Sequence, residues 1–479
     1  MSSPGAMPPA RHDSPRLHVP LLLRILVLVL VALASASAYL TRHCLAVANT
    51  TIQAELDLNS TQMGLVFSVF ALGYMIFQIP GGMIGLRIGT RNALPLFSVL
   101  WSVMTLWTSF VFLMFPLLLS RFMFGLSQAG LVPNTAQVIQ DWFPSRLHGS
   151  VSAMIGVAMS LGGAATFWLT GELMEIMHWR SVFQIYSLVG IGWAVAFWFV
   201  FRTRPEQHIL VTRDPEPTTE PGDHDPTAPN TSAPTTPEDS AQTSPSPRLW
   251  HLIAHASIFW MCVQAPFRAA GYNLFVTYFP EFLERGHGLS VSEAARMATW
   301  PFIGVIAGGL VGGVVIDAIQ KLTGNRTLSR SGFACVMLVV TTLLTVWSAY
   351  ATTPGQVVLL ITLGSTFSGM ASPAVWAGLI DLGGKSAAVV SGTSNMIGCL
   401  AGVAFTPLVG MLVDAIKTNG TGWELLILVH AGFYACAALA FAAVRIPDRP
   451  VTEPPEDPPA VSSSDDETPE NIEKAEDTD

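Results

Sequence analysis

The stretch LLRILVLVLVALASASAYLTRHCLAVA, residues 22–48, decides the fold class of this chain. Its basic residue at Arg24 and the small residues before Tyr39 resemble a cleavable signal peptide. The apolar pattern continues beyond those small residues, however, and the whole run of about 25 residues is long enough to cross a bilayer as one helix. We therefore predict an uncleaved transmembrane helix that carries Arg42 near its end.

The composition of the whole chain is also that of a membrane protein. Hydrophobic residues make up 51% of the 479 residues and charged residues only 12%, whereas a water-soluble domain is about a quarter charged. The net charge of −9 comes from acids crowded into two polar segments, so it indicates no partner for the apolar body. The five cysteines lie in apolar runs without CxxC spacing, which favours packing roles over disulfides or zinc.

Apolar runs of about 20 residues recur along the chain, separated by turn residues and charges. They predict twelve spans, at 22–48, 62–85, 93–114, 116–139, 148–171, 180–201, 257–280, 294–317, 332–350, 355–381, 386–414 and 423–445. We interpret 22–202 and 251–445 as two six-helix bundles. The linker 203–250 is rich in Pro, Thr, Ser and acids, and the tail 446–479 is acidic, so both are predicted to be disordered.

Positive charge orients these spans. If both termini, including segment 1–21, are cytoplasmic, 17 of the 24 Lys and Arg residues lie on the cytoplasmic side and four on the other side. That asymmetry is typical of membrane proteins, and it predicts a multi-pass protein of the plasma (inner) membrane. The three remaining basic residues, Arg42, Arg121 and Arg268, fall inside the first, fourth and seventh spans.

The two halves of the chain resemble each other. GGAATFWLTGEL (162–173) and AGVAFTPLVGML (401–412) align without gaps and share two Gly, one Ala and two Leu positions. They lie in the fifth and eleventh spans, which correspond in a six-plus-six duplication, as do the spans of Arg42 and Arg268. A duplicated bundle with charges between its halves is typical of carriers that work by alternating access.

The three intramembrane arginines require an anion. A charge at the centre of a membrane helix costs about 2.5–3.5 kcal/mol even on insertion scales, and arginine cannot lose its proton. An internal ion pair would be the structural explanation, but the acids of the spans all lie near their ends: Glu172, Glu175, Asp317, Asp381 and Asp414. We therefore expect the anion to arrive as substrate, since guanidinium matches carboxylate and phosphate in a fork geometry.

Several segments resemble a known family. AYLTRHCLAVA (38–48), MGLVFSVFALGYMIFQIPGG (63–82), RFMFGLSQAG (121–130) and SGTSNMIG (391–398) are similar to helices of the major facilitator superfamily, and within it of the anion:cation symporter family. That family includes bacterial galactonate, glucarate and hexuronate transporters and animal phosphate, sialic acid and vesicular glutamate carriers. The resemblance covers nearly all spans and implies an all-α fold of twelve transmembrane helices that transports small organic anions.

The resemblance also implies roles for individual residues. Arg42 would anchor the substrate carboxylate and Arg268 would supply a second cation. The other residues expected around the substrate are Arg121, Tyr39, Tyr74, Gln128, Ser394 and Asn395. For each polar residue, a helix–helix hydrogen bond is the alternative.

The chain departs from the family at two acids. Thr41 stands before the first-helix arginine and Gln128 stands on the fourth helix, where bacterial relatives have the carboxylates that carry proton coupling. We therefore expect weak or absent proton coupling. His43 is the titratable neighbour of Arg42 and a coupling candidate, although the helical step from 42 to 43 favours packing.

A gate motif of the family is also recognisable. Gly82, Arg87, Gly89 and Arg91 match its glycines and arginines, but its acid is missing in this half. Asp317 keeps the equivalent acid in the other half.

Several functions compete. We favour a carrier of small organic anions over a transporter-like ligand sensor; a membrane enzyme lacks clustered catalytic residues, and a nucleotide-driven pump lacks GxxxxGK[ST]. The expected partners are a small anionic substrate and the lipid bilayer, for a monomer without cofactor, metal or nucleic acid. The sequence leaves open whether an ion is coupled, and whether the anion is a sugar acid, a dicarboxylate, an acidic amino acid or phosphate.

Overall fold

The computed structural model describes residues 17–18, 20–144, 147–207, 212–213, 255–420 and 422–447. The predictions for segment 1–21, the linker and the tail fall mostly outside these ranges. Two short strands, β1 (Leu17–His18) and β2 (Thr212–Arg213), pair antiparallel.

Almost all of the described chain is helical. The first half contains α1 (Leu21–Val47), α2 (Asn49–Leu56), α3 (Ser60–Ile88), α4 (Thr90–Thr108), α5 (Met114–Gln128), α6 (Leu131–Trp142), α7 (His148–Ile176) and α8 (Trp179–Val200). The second half contains α9 (Ala256–Glu281), α10 (Val291–Thr323), α11 (Phe333–Ala349), α12 (Pro354–Gly383), α13 (Ala387–Asn419) and α14 (Glu424–Ala442). Short 3₁₀ turns lie at Pro205–Gln207 and Gly384–Ser386, and π turns at Phe282–Gly286 and Leu328–Gly332.

These helices correspond to the predicted spans, and the all-α membrane fold is confirmed. Ten helical segments of the described chain are long and apolar enough to cross a membrane. The predicted third and seventh spans are α4 and α9, which are less apolar. The fourth span is interrupted between α5 and α6, where Pro133 lacks the N–H that would continue the hydrogen-bond ladder to Ala129. The short helix α2 was not predicted.

Local signals repeat between the halves. The second span, α3, begins at a capping box formed by Asn59 and Gln62, and its partner α10 begins at one formed by Ser290 and Glu293. Small residues bring helices together in both halves: a Cβ at Gly73 would lie 2.5 Å from the Phe122 carbonyl oxygen of α5. These repeated devices support the predicted duplication.

The two halves meet along two seams. Antiparallel helices α3 and α13 form one, and α7 and α10 form the other. In the first seam Gly64 lies so close to α13 that a Cβ would be 2.9 Å from the Pro407 Cα. In the second, Arg296 Nη1 donates a 3.0 Å hydrogen bond to Glu172 Oε1.

Hydrogen bonds between the halves concentrate at one end of the bundle, which we call the closed end: the end where α1 and α9 finish and α3 begins. Asp414 of α13 accepts hydrogen bonds from the backbone N–H groups of Ser60 and Thr61, each 2.8 Å long, and so caps α3. The Ser60 hydroxyl also donates to Glu281 at 3.0 Å. The opposite end, where α1 begins and α3 finishes, we call the open end.

Glu281 is a buried acid that was not predicted from the sequence. It is the last residue of α9, one position beyond the predicted span, and its side chain is fully buried. Lys417 Nζ lies 2.7 Å from Glu281 Oε1, and Asn49 donates to the other oxygen at 3.0 Å. This acid therefore neutralises Lys417 at the closed end, and within the described ranges the intramembrane arginines have no carboxylate partner of their own.

Candidate functional site

A cavity of about 210 Å³ lies between the two halves. Helices α1 and α3 form one wall, and α9, α12 and α13 form the other. Its charged lining consists of Arg42 from the first half and Arg268 from the second. The polar and aromatic lining comprises Phe70, Tyr74, Asn273, Trp376, Ser391, Ser394, Asn395 and Cys399. The volume is below that of pockets for drug-sized ligands and suits a small molecule.

Arg42 is held by aromatic rings on several sides. Its guanidinium carbon lies 4.9 Å from the ring centre of Tyr39 and 5.0 Å from those of Phe70 and Tyr74. Such contacts stabilise a cation that has lost water. Its Nε donates a 2.9 Å hydrogen bond to Gln128 Oε1. The side chain is thus oriented in advance, as a fork for an oxyanion at the cavity wall requires.

Gln128 supports Arg42 from behind and does not line the cavity. It is fully buried, and its Nε2 donates to the Ala38 carbonyl at 2.7 Å and to Thr41 Oγ1 at 3.3 Å. An amide can accept from Arg42 and donate to a backbone carbonyl at once, whereas an ionised glutamate only accepts. These contacts are those of a residue that orients Arg42, and the predicted contact of Gln128 with the substrate stays a prediction.

Arg121 likewise lies outside the cavity lining, and its predicted contact with the substrate stays a prediction. It is 1% exposed, and its Nη2 donates a long 3.5 Å hydrogen bond to the Arg42 carbonyl oxygen. Its guanidinium carbon lies 4.6 Å from the centre of the Phe124 ring, while Nε and Nη1 have no hydrogen-bond partner in the described chain. Arg121 therefore adds positive charge behind Arg42, in a dry part of the bundle where charge acts over longer distances.

Arg268 enters the cavity from the opposite half. It lies in the middle of α9 and is partly exposed, and its Nε has no hydrogen-bond partner within the described ranges. The two halves therefore each present one guanidinium to the same space. A ligand that contacts both would join the halves.

Ser394 and Asn395 of α13, both predicted to contact the substrate, make different hydrogen bonds. Ser394 is buried and donates to the Met261 carbonyl at 3.3 Å, although part of it reaches the cavity. Asn395 is exposed and donates to Gln78 Oε1 of the other half at 3.3 Å. Gln78 and Asn273 were not predicted from the sequence. No periodicity singles them out, because each stands between apolar or aromatic neighbours in its helix.

His43 points away from the cavity. It is 5% exposed and lies among aromatic rings of α1, α7 and α10, with ring centres 5.2 Å from Tyr39, 6.2 Å from Phe167 and 5.9 Å from Phe302. This placement agrees with the helical step that favoured packing. Its role in coupling stays a hypothesis.

The predicted gate residues lie at the open end. Gly89 has a φ of 79° and connects α3 to α4, a conformation that disfavours other residues. Arg91 donates to the Trp198 carbonyl at 3.2 Å and stacks on that ring at 4.9 Å. Arg87 and Asp317 are exposed, and a Cβ at Gly82 would lie 3.1 Å from Pro133.

Comparison with known proteins identifies the family. Residues 31–406 match the model of the Major Facilitator Superfamily. The chain belongs to this superfamily. The prediction of a membrane transporter fold, and of a protein that is not an enzyme, is therefore confirmed.

Individual members of the superfamily are similar over most of the chain. A hexuronate transporter of Bacillus subtilis is 28% identical over 84% of this chain and 91% of its own length. A probable sulfoacetate transporter of Cupriavidus necator is 26% identical over 84% and 89%. Among solved structures, an inward-facing bacterial homologue of the human lysosomal transporter Spinster covers 89% of this chain and 99% of that one, with a TM-score of 0.67 and 19% identity.

Major facilitator proteins work by rocking two halves about a central site, so we expect the closed end of this chain to open and close. Glu284, in the π turn beyond α9, contributes there: Thr50 Oγ1 of the other half donates to Glu284 Oε2 at 2.5 Å. Burial raises the pKa of this carboxyl from its ordinary 4.5 to about 7; nearby Glu281 also raises it, while the Thr50 hydrogen bond and Arg285 act against this. The closed state thus binds this proton more tightly than a state with Glu284 in water.

We expect acid to favour the closed end. The stabilisation is full below the ordinary pKa and is lost as the pH rises through about 7. Spin labels at exposed Asp57 and Asn419, in a cysteine-free background, should report a growing short-distance population as the pH falls from about 8 to about 5. Glu284→Gln should remove most of this dependence, and an unchanged dependence in that variant would assign it to another group.

Proposed function

We propose that this protein is a secondary transporter of small organic anions, such as sugar acids, hexuronates or related carboxylates, that works by alternating access. The observation that carries the proposal is the cavity lined by Arg42 and Arg268 from opposite halves, with no carboxylate among its described lining residues. The similar proteins named above as hexuronate and sulfoacetate transporters support an organic anion as the cargo.

The geometry suggests how an anion is bound. Arg42 offers a fork held by aromatic rings and Gln128, which suits a carboxylate. Asn273, Ser391 and Asn395 can exchange hydrogen bonds with hydroxyl groups, and Trp376, 51% exposed, offers a face for the carbon chain. Arg268 contacts the far side of the substrate. Binding to both halves favours a state in which they close around it.

We further propose that the protein acts as a monomer in the plasma (inner) membrane, with both termini and the linker in the cytoplasm and no cofactor. The positive-inside asymmetry of the sequence supports this orientation. The open end then faces the cytoplasm.

Two other functions remain as alternatives. Phosphate or an acidic amino acid would also match guanidinium chemistry, and a ligand sensor could use the same cavity without net transport. The test is uptake of labelled glucuronate, glucarate, glutamate and phosphate by liposomes that contain the purified protein, with empty liposomes as control. Uptake of only glutamate or phosphate would replace the proposed substrate class. Saturable binding without uptake of any of them would favour the sensor.

We expect no proton-driven accumulation. Thr41 and Gln128 cannot titrate, and the described cavity lining contains no acid that could carry a proton with the substrate. With substrate at equal concentration on both sides of the liposome membrane, an imposed pH gradient should leave the internal concentration unchanged. Uphill accumulation that a protonophore abolishes would contradict this, and His43 would then be the first residue to replace. The expected effect of Glu284 concerns the population of the closed state, which affects the rate of transport and changes no steady-state concentration.

A further inference from the structure

The α3–α13 seam can be followed from the closed end past the cavity. Beyond the Asp414 cap, the Ser68 hydroxyl of α3 donates to the Val403 carbonyl at 2.6 Å. One turn further, Gly402 lies against Ala71, where a Cβ would be 2.7 Å from the Ala71 Cβ. The chain directions are opposite, so each step along α3 towards the open end moves to lower numbers on α13.

Gln78 makes the next contact between these helices, on the open-end side of the cavity. Its Oε1 accepts a 3.3 Å hydrogen bond from Asn395 Nδ2, and its Nε2 donates to Cys399 Sγ at 3.7 Å. Asn395 and Cys399 both line the cavity, one turn apart on α13. Gln78 itself follows Tyr74, another lining residue, by one turn on the same face of α3. The amide thus joins the two halves beside the part of the cavity nearer the open end.

We propose that Gln78 and Asn395 form the gate of the substrate cavity at the open end. This inference rests on the proposed transport function for its purpose, but the gate itself can be measured without a substrate. Neutral amides suit such a gate, because they pair without leaving an unpaired charge when they separate. Their exposed hydrogen bond has a small net free energy, so the gate can open readily.

Asn395 also connects the gate to the substrate. Its side chain has two donor hydrogens and one acceptor oxygen, and it lines the cavity while it holds Gln78. A substrate group that accepts the hydrogen now donated to Gln78 breaks the bond between Gln78 and Asn395. Binding of the substrate and opening of the gate therefore use the same side chain.

The native Cys399 provides the test. With Cys44, Cys262, Cys335 and Cys436 replaced by alanine, we measure how fast a charged methanethiosulfonate modifies Cys399 in detergent-solubilised protein. Gln78→Ala should raise the rate by about threefold to tenfold, the factor that one net hydrogen bond represents. Gln78→Glu keeps an acceptor for Asn395 and should give a smaller increase. The matched control is Ser68→Ala, which removes a bond between the same helices on the closed-end side and should leave the rate unchanged.

A second reporter separates a gate from local uncovering of the thiol. Ala269 lines the cavity on α9, and Ala269→Cys in a background without other cysteines should also react faster after Gln78→Ala. An increase at Cys399 alone, or an increase of equal size in Ser68→Ala, would overturn the gate. Gel filtration confirms that each variant is folded. Because this experiment measures no transport, its result can be interpreted even if the proposed substrate class is wrong.

Discussion

Replacing Arg42 by alanine is expected to lower the uptake of organic anions by about 100-fold or more, while folded protein remains in the membrane. The magnitude follows from the fork: two charge-assisted hydrogen bonds contribute about 1.5–3 kcal/mol each, and each 1.4 kcal/mol is about tenfold. The measurement is the initial rate of uptake per folded protein in liposomes. Arg42→Lys should recover little, because an ammonium group is a point charge and cannot form the fork.

Arg180→Ala is the matched control for this experiment. Arg180 also stacks on aromatic rings, 4.2 Å from the ring centre of Phe112 and 4.4 Å from that of Trp179, and it pairs with Glu55 of its own half. It lies outside the cavity, so its loss should leave uptake per folded protein near the wild-type value. If Arg42→Ala transports as well as this control, Arg42 is not the anchor.

The helices were predictable because a bilayer imposes a minimum apolar length on each span. The two capping boxes and the small residues at helix contacts are also encoded locally in the sequence. The break between α5 and α6 was missed although Pro133 is a local signal for it, whereas the short α2 depends on how neighbouring segments pack. Glu281 was missed because it lies one residue beyond an apolar run, where a side chain is expected to be exposed. Its burial results from the contacts between the halves at the closed end.

The sequence indicated which cations lie inside the spans. It did not indicate how their side chains are arranged around the cavity. Arg121 and Gln128 are seven residues apart, about two helical turns, and they share one face of α5, since both contact Arg42. Spacing cannot say what that face meets, and it meets α1 instead of the cavity. Whether a polar residue binds substrate or supports its neighbour depends on the rotation of the helix in the bundle. One sequence does not contain that information.

Arg268→Ala is expected to impair dianions much more than monoanions. Arg42 suffices for one carboxylate, whereas a second carboxylate entering the cavity must lose water and needs a second cation. We propose Arg268 as that cation, because it lies on the opposite wall and its Nε has no hydrogen-bond partner in the part of the chain that the structure describes. Glucarate and gluconate share a six-carbon chain and differ in one terminal carboxylate, so they form a suitable substrate pair. We expect the glucarate to gluconate ratio of kcat/KM to fall by about tenfold or more, the value of one charge-assisted hydrogen bond.

The comparison of the two substrates makes this test specific. A variant that only loosened α9 would lower kcat/KM for both by the same factor and leave their ratio unchanged. Arg268→Lys keeps the charge without the fork and should give an intermediate ratio. The parallel Arg42→Ala variant should lose both substrates together, because each needs the first anchor. An unchanged ratio in Arg268→Ala would therefore mean that Arg268 braces helix α9 and that the second carboxylate of a dianion lies elsewhere in the cavity.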